Sequence, residues 1–170
     1  MRQPPLNSSV RFRMKLGWAQ LTFTPNDEAL AALNTAWGNV IGESFTPLLF
    51  SVLGDVFYQS TSGVYWLNVG AGETTLVAKS ADHFKSLLLT DVADEWFLPS
   101  LVEQLYAAGK VPASGWCYTP VVLPVFAEGK YSVSNLNPVP GKEHFEVTAH
   151  VHSQIRSLPE GARVKLSVGG

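Results

Sequence analysis

The sequence predicts an α+β protein in which an antiparallel β-meander packs with several α-helices as a single layer pair. Two observations predict this class. Segments with apolar residues at helical spacing stand before and after a series of short apolar runs that end in turn residues, at residues 46–78. Of the 170 residues, 46% are hydrophobic and only 15% are charged, so the chain can bury a sizeable core.

The length suits one domain, which we place at residues 11–170, after a flexible segment at residues 1–10 that contains two prolines. Apolar residues alternate with polar or small ones from Phe12 to Trp18. This period of two predicts a half-buried strand that continues, with a break at a glycine, to Phe23.

Residues 24–41 carry the signals of an amphipathic helix. Thr24 is suited to the N-cap and Pro25 to the first helical position, and Gly42 can close the helix. Four apolar residues recur on one face at helical spacing, namely Leu30, Leu33, Trp37 and Val40.

The meander follows the first helix. An apolar run that ends at Gly54 and Asp55 predicts a buried strand, and further strands are expected near 55–59, 63–68 and 74–79. The strand near 63–68 is apolar on both faces, which is typical of a strand that is covered on both sides or met by a partner.

Helices are expected again after the meander. Ser80 is suited to the N-cap of the first of them, and Pro99 forces a break within the apolar pattern that follows. Gly109 can end the helical region. A last helix is predicted at residues 142–158, with Val151, Ile155 and Leu158 at helical spacing, before a final strand at 162–168.

The segment between these helices, residues 111–140, is rich in proline and glycine, with short strands expected near Cys117 and at 131–134. Long ordered loops in compact domains are often functional. Aromatic side chains in loops can anchor an interface or fold back onto the core. We therefore take four aromatic residues of this segment as candidate partner contacts: Trp116, Tyr118, Phe126 and Tyr131.

No pattern in the sequence predicts catalysis, a metal site or a bound cofactor. His144, His150 and His152 lack a cysteine or a paired carboxylate that would complete a common zinc pattern, so we expect polar residues on the outer face of a helix. The single cysteine, Cys117, has no base placed beside it and is expected to be a buried, inert thiol. The pair Gly70 and Gly72 lies between two strands, which favours a turn over a phosphate site.

Charge and hydropathy narrow the partner classes. The net charge is −2 and no Lys or Arg cluster is present, so nucleic-acid binding is not expected. No stretch approaches the roughly 18 apolar residues of a membrane span. With one cysteine and no apolar leader near the first residue, a cytoplasmic protein is the simplest expectation. The oligomeric state is left open.

Several segments together resemble one family. The hairpin LLFSVLGDVFYQSTSGVYWLNVGAGE is followed in order by FKSLL, DEWFLPSLVEQLYAAGK, GWCYTPVVLPVFAEGKYSVSNL and HVHSQIRSLPEG. This set, from about Trp37 to Leu166, resembles the C-terminal domain family of type VI secretion immunity proteins. The LPVFAEG stretch departs from the PPxLGG often found in the family.

The resemblance implies a non-catalytic immunity protein that binds and neutralises a cognate bacterial toxin, such as a nuclease effector of type VI secretion, by blocking its active surface. It transfers no contact residue. An alternative is a small-molecule-binding or regulatory module, which would show a deep apolar pocket with a few convergent polar groups. A third reading, an enzyme that uses Cys117 or the histidines, has the least support.

Overall fold

The computed structural model describes residues 16–163, and within them it contains six α-helices and six strands. The helices are α1 (Trp18–Leu21), α2 (Asp27–Ile41), α3 (Ala81–Leu87), α4 (Val92–Phe97), α5 (Pro99–Ala107) and α6 (Gly141–Ile155). The strands are β1 (Thr46–Phe50), β2 (Val56–Ser60), β3 (Gly63–Asn68), β4 (Glu73–Ala78), β5 (Trp116–Pro120) and β6 (Leu136–Pro140). The predicted α+β class is confirmed.

The first four strands form one antiparallel sheet in the order β1-β2-β3-β4. Each strand pairs with its neighbour in sequence, so the predicted meander at 46–78 is confirmed. Strands β5 and β6 pair with each other in a separate two-stranded sheet. Of the larger sheet, β1 and β4 are the edge strands and carry most of its exposed residues.

One face of the sheet is covered by α2 and α6. Leu33 and Trp37 of α2 pack with Leu67 of β3 and with Phe145 of α6 in one buried cluster. The indole Nε1–H of Trp37 donates a hydrogen bond to the backbone oxygen of Phe145, at 3.1 Å, and so joins the two helices inside this layer.

The other face is covered by α3, α4 and α5. Phe57 of β2 lies at its centre, with its ring centroid 5.0 Å from Phe84, 5.1 Å from Trp96 and 5.6 Å from Phe97. Helices therefore lie on both faces, and the molecule has three layers rather than the single layer pair that we expected. The apolar residues on both faces of β3 require this second cover.

Most of the strand predicted at Phe12–Trp18 lies outside the described residues, but its continuation to Phe23 and the strand predicted at 131–134 are wrong. Trp18–Leu21 is a helical turn, and the strand predicted to reach Phe23 is reduced to one bridge between Thr22 and Ser51. Only two backbone hydrogen bonds flank this bridge, from the Val52 N–H to Leu21 and from the Phe23 N–H to Phe50. The pairing cannot extend because α1 ends at Leu21 and the next helix begins at Asp27.

The strand predicted at 131–134 is replaced by a 3-10 turn at Val133–Asn135, and the pairing strand β6 begins at Leu136. Strand β6 contains Pro138 and Pro140, which cannot donate to a ladder. A two-stranded sheet has only edge strands, so both prolines are tolerated there.

The helix boundaries follow local chemistry. Asn26, rather than the expected Thr24, caps α2, and its Oδ1 accepts a hydrogen bond from the Ala29 N–H. The predicted cap at Ser80 is confirmed. Leu98 has a φ of 44° because it ends α4 and at the same time precedes α5, where Pro99 is the first residue.

The segment at residues 1–10 and most of the strand predicted at 162–168 lie outside the described residues.

Candidate functional site

A tight turn at residues 51–55, between β1 and β2, is hydrogen-bonded to α1, β5 and α6. Ser51 Oγ accepts a hydrogen bond from the Leu53 N–H at 3.0 Å, and Gly54 has a φ of +88°. The turn is tied to β5 because the Tyr118 N–H donates to the Val52 backbone oxygen at 2.7 Å. The sequence predicts turn residues at this glycine and at the aspartate after it, and the structure adds a buried carboxylate.

The side chain of Asp55 is directed inward and is fully engaged. Its Oδ1 accepts from the Val69 N–H at 3.0 Å, and its Oδ2 accepts from the Trp66 indole at 3.1 Å. Burial raises the pKa of Asp55 to about 7, although both hydrogen bonds oppose that rise. Desolvation therefore dominates over hydrogen bonding at this site.

His144 of α6 lies directly over the turn. Its Nε2–H donates to the Gly54 backbone oxygen at 3.0 Å, so in the neutral ring Nδ1 accepts from the Thr119 hydroxyl at 2.9 Å. A Cβ atom on Gly54 would overlap this Nε2. Burial lowers the pKa of His144 to about 4, so the ring is neutral at pH 7.

His152 repeats this contact two turns further along α6. Its Nε2–H donates to the Val69 backbone oxygen at 2.9 Å, and a Cβ atom on Gly72 would lie 2.8 Å from its ring. Burial lowers the pKa of His152 as well. The expectation that both histidines lie on the outer face of the helix is wrong, whereas His150 is exposed.

A signal for this buried face was present in the sequence. Its residues recur at helical spacing, and two of them, Phe145 and Ala149, are apolar core residues. The buried face consists of His144, Phe145, Thr148, Ala149 and His152. The expected stripe at Val151, Ile155 and Leu158 is only half-buried or exposed. Backbone carbonyls in the sheet turns satisfy the polar ring nitrogens, and the sequence does not show those partners.

Cys117 is fully buried, and burial raises the pKa of its thiol, as expected for an inert residue. Within residues 16–163, no group of three or more His, Cys, Asp or Glu side chains could hold a metal ion. His144 and His152, whose pKa values burial lowers, hold α6 to the sheet turns through their hydrogen bonds.

The four aromatic candidates lie in different places. Tyr118 is fully buried in the core and so cannot form part of a surface, which corrects one of the four. Trp116 is 37% exposed at the start of β5, and Phe126 is half-buried in the loop 121–130. Tyr131 is half-buried beside Gly70. The structure therefore does not unite these residues in one surface.

Tyr131 lines a groove with a volume of about 1160 Å³. The groove lies between the start of α5 and the segment 131–134. Its wall combines apolar, hydroxyl and amide side chains with one carboxylate, that of Asp94. The wall residues are Asp94, Leu98, Pro99, Ser100, Leu101, Gln104, Tyr131, Ser132, Val133 and Ser134.

Trp116 lies between two smaller grooves, of about 310 Å³ and 340 Å³. The first lies between α1 and the segment 112–116, and the second lies between the first turns of α2 and α6. This region contains the exposed aromatic candidate with the most charged surroundings.

These features define an α+β protein with buried histidines between α6 and the sheet turns and with grooves at its surface. The family model described as T6SS immunity protein Tdi1, C-terminal, matches residues 78–152, a little under half of the chain. This match confirms the predicted family resemblance over α3 to α6, and it does not extend to the hairpin at 54–73.

No curated protein and no solved structure is significantly similar to this chain. None of the helices between residues 16 and 163 has the length and hydropathy needed to cross a membrane.

Proposed function

We propose that this protein is an immunity protein that binds a cognate bacterial toxin and neutralises it by blocking its active surface, with no catalysis of its own. The match of residues 78–152 to the immunity-protein family carries this proposal. An immunity protein needs a rigid complementary surface rather than a reactive group.

The architecture supports this role. The matched segment contains α3, α4 and α5, which form one outer layer, and also β5, β6 and α6. It therefore supplies the large groove at Tyr131 and most of the surface around Trp116. Trp116, Phe126 and Tyr131 remain the proposed partner contacts.

The test is protection of cells and formation of a complex. The gene next to the one that encodes this chain is expressed in a susceptible bacterium, with or without this chain, and viable cells are counted. We expect the neighbour to be toxic and this chain to restore growth, and an inactive variant of the toxin to co-purify with it. A harmless neighbour whose product is not retained would contradict the proposal.

A second candidate function is a small-molecule-binding or regulatory module, which the groove of about 1160 Å³ at Tyr131 favours. Pockets of about 300–1000 Å³ with a few polar groups are typical of ligand sites. A ligand that binds the native state raises the thermal midpoint. A rise with a metabolite that is lost in Tyr131→Ala, without loss of protection from the toxin, would establish this function as additional.

A further inference from the structure

The N-terminal ends of α2 and α6 lie side by side at one end of the molecule. The Gly141 N–H donates to the Gly115 backbone oxygen at 3.1 Å, and a Cβ atom on Gly141 would lie 3.2 Å from Ala29 Cβ. This close approach brings the segment 112–116 against both helix ends. We define the Trp116 groove as the two adjacent grooves that share Trp116 in this region.

The first half of the Trp116 groove has both hydroxyl and apolar side chains in its wall. Ala19, Pro112 and Ala113 contribute to its wall beside Trp116. Val111, the next residue outward, is 54% exposed. A partly exposed tryptophan beside small apolar side chains is the kind of position that dominates the energy of protein interfaces.

The second half is acidic. Glu28, Glu143 and Glu146 line it, and Lys142 is the one cation in its wall. All four side chains are exposed. Within residues 16–163, no hydrogen bond or ion pair occupies the three carboxylates. Each of the two helix N-termini adds roughly half a positive charge, which reduces the acidic excess without cancelling it once Asp27 is included.

The chain as a whole is also mildly acidic, with fourteen Asp and Glu residues against twelve Lys and Arg residues, a net charge of −2. A phosphate backbone would be repelled here, whereas a cationic protein surface would be attracted.

We propose that the Trp116 groove docks a partner protein through a segment that carries Arg or Lys beside an apolar side chain. The apolar side chain enters the first half of the groove. The cation lies against the Trp116 ring and the carboxylates of Glu143 and Glu146, where cation–π and ionic attraction act together. This inference rests on the proposed function, since it describes the chemistry of the toxin surface.

The first experiment needs no identified partner. The probe is acetyl-Arg-Leu-Arg-amide, with acetyl-Glu-Leu-Glu-amide as its control, added to the full ¹⁵N-labelled chain while the Trp116 indole N–H signal is followed. We expect a saturable shift with the cationic peptide, none with the acidic peptide, and no shift of the Trp18 indole. Equal shifts with both peptides, or no saturable shift of Trp116, would overturn the proposal.

Two double variants distinguish the effect of the carboxylates in the Trp116 groove from the effect of the overall charge of the protein. Glu143→Lys/Glu146→Lys should abolish the peptide response, whereas Glu73→Lys/Asp82→Lys, the same charge change on exposed residues of β4 and α3, should retain at least half of it. If Arg11→Gln/Arg13→Gln/Lys15→Gln moves the Trp116 signal in the absence of peptide, the occupant is the basic segment of this chain, and the proposal of a partner fails.

The second experiment uses the toxin recovered by co-purification, as an inactive variant, and measures binding kinetics at low salt. We expect the Glu143→Lys/Glu146→Lys variant to associate about tenfold more slowly and Trp116→Ala to weaken Kd by at least about tenfold. The control pair at residues 73 and 82 should change the association rate less than about threefold. Protection without any effect of these variants would leave the proposed function standing and remove the Trp116 groove as its site.

Discussion

Two sets of polar residues on α6 have opposite environments. His144, Thr148 and His152 face the sheet, are buried, and have hydrogen-bond partners in the chain. Glu143 and Glu146, at the N-terminal end of the same helix, are exposed and have no partner within the described residues. The difference separates two roles: the buried set holds the fold together, and the exposed set is available to another molecule.

This separation matters because perturbed pKa values often mark functional sites. Here the strongly shifted groups are Asp55, His144, Cys117 and Tyr118, which are buried, and Tyr131, which is half-buried and lines a groove. Their shifts arise mainly from desolvation. In this chain the shifted pKa values of the four buried groups therefore point to the structure, and function is sought at Tyr131 and where exposed polar residues lack partners.

The substitution with the largest expected effect is Gly54→Ala, which tests whether the buried set on α6 holds the fold together. We expect it to lower the free energy of unfolding by about 3 to 5 kcal/mol, because its methyl group would overlap His144 Nε2 at a backbone φ of +88°. Urea denaturation followed by fluorescence measures the change.

Gly109→Ala is the matched control for the backbone term. Gly109 also has a positive φ, of +80°, but no atom lies within 4 Å of the position that an added Cβ would take. Its cost should be about 1 kcal/mol, from backbone strain alone. Equal costs at both positions would show that the contact with His144 does not hold the turn.

The next test uses pH. The pKa of Asp55 is raised from 3.8 to about 7, so the folded state binds a proton more tightly and this residue makes stability fall as pH rises from about 4 to 7. The pKa of His144 is lowered from 6.5 to about 4, so it makes stability rise with pH between about 4 and 6.5. The two effects oppose each other in the wild type.

Asp55→Asn removes one of these opposing effects. Between pH 4 and 6.5, the free energy of unfolding of the variant should rise more steeply with pH than that of the wild type, by about 1.4 kcal/mol per pH unit. Denaturation curves at five pH values measure the two slopes. Parallel slopes would mean that Asp55 is not protonated in the folded state in this range.

A smaller effect is expected at the rim of the Trp116 groove. Asn26 caps α2 through its hydrogen bond to the Ala29 N–H at 2.9 Å, so Asn26→Ala should cost about 1 kcal/mol. Asn26→Asp, which retains an acceptor, is the control and should cost less. A loss of several kcal/mol in the alanine variant would show that this end of α2 depends on more than its cap.

The smallest effect is expected for the exposed set itself. Glu146→Gln removes a charge that has no partner in the described residues, so the free energy of unfolding should change by less than about 0.5 kcal/mol. Thermal unfolding of the variant beside the wild type checks this. A clear loss of stability would place Glu146 among the structural residues and weaken the comparison.

Much of the fold followed from local patterns. The three strands from residue 56 to residue 78 carry short apolar runs between turn residues, and α2 and α6 carry apolar residues at helical spacing. The break at Pro99 and the cap at Ser80 depend on one residue each. Such features are decided within a few positions of the chain, and they could therefore be predicted.

The candidate site could be predicted only in part. The exposed Trp116 came from an aromatic-rich segment, but Tyr118, two residues on along β5, lies in the core. Residues two apart in a strand share a face, so alternation alone would give both side chains the same exposure. Exposure in such a segment depends on how far along the strand the covering elements reach, and the sequence does not show that.

By itself, the sequence determined the α+β class, the meander, the capped helix start at Ser80, and the family resemblance over residues 78–152. The tertiary structure alone decided that helices cover both faces of the sheet, that two histidines point inward, and that the ends of α2 and α6 meet beside Trp116. The physical reason is the separation along the chain between the residues that interact. Capping and periodicity act between neighbours in the chain, whereas the contact of His144 with Gly54 joins residues 90 positions apart, and its partner is a backbone carbonyl that any residue type would supply.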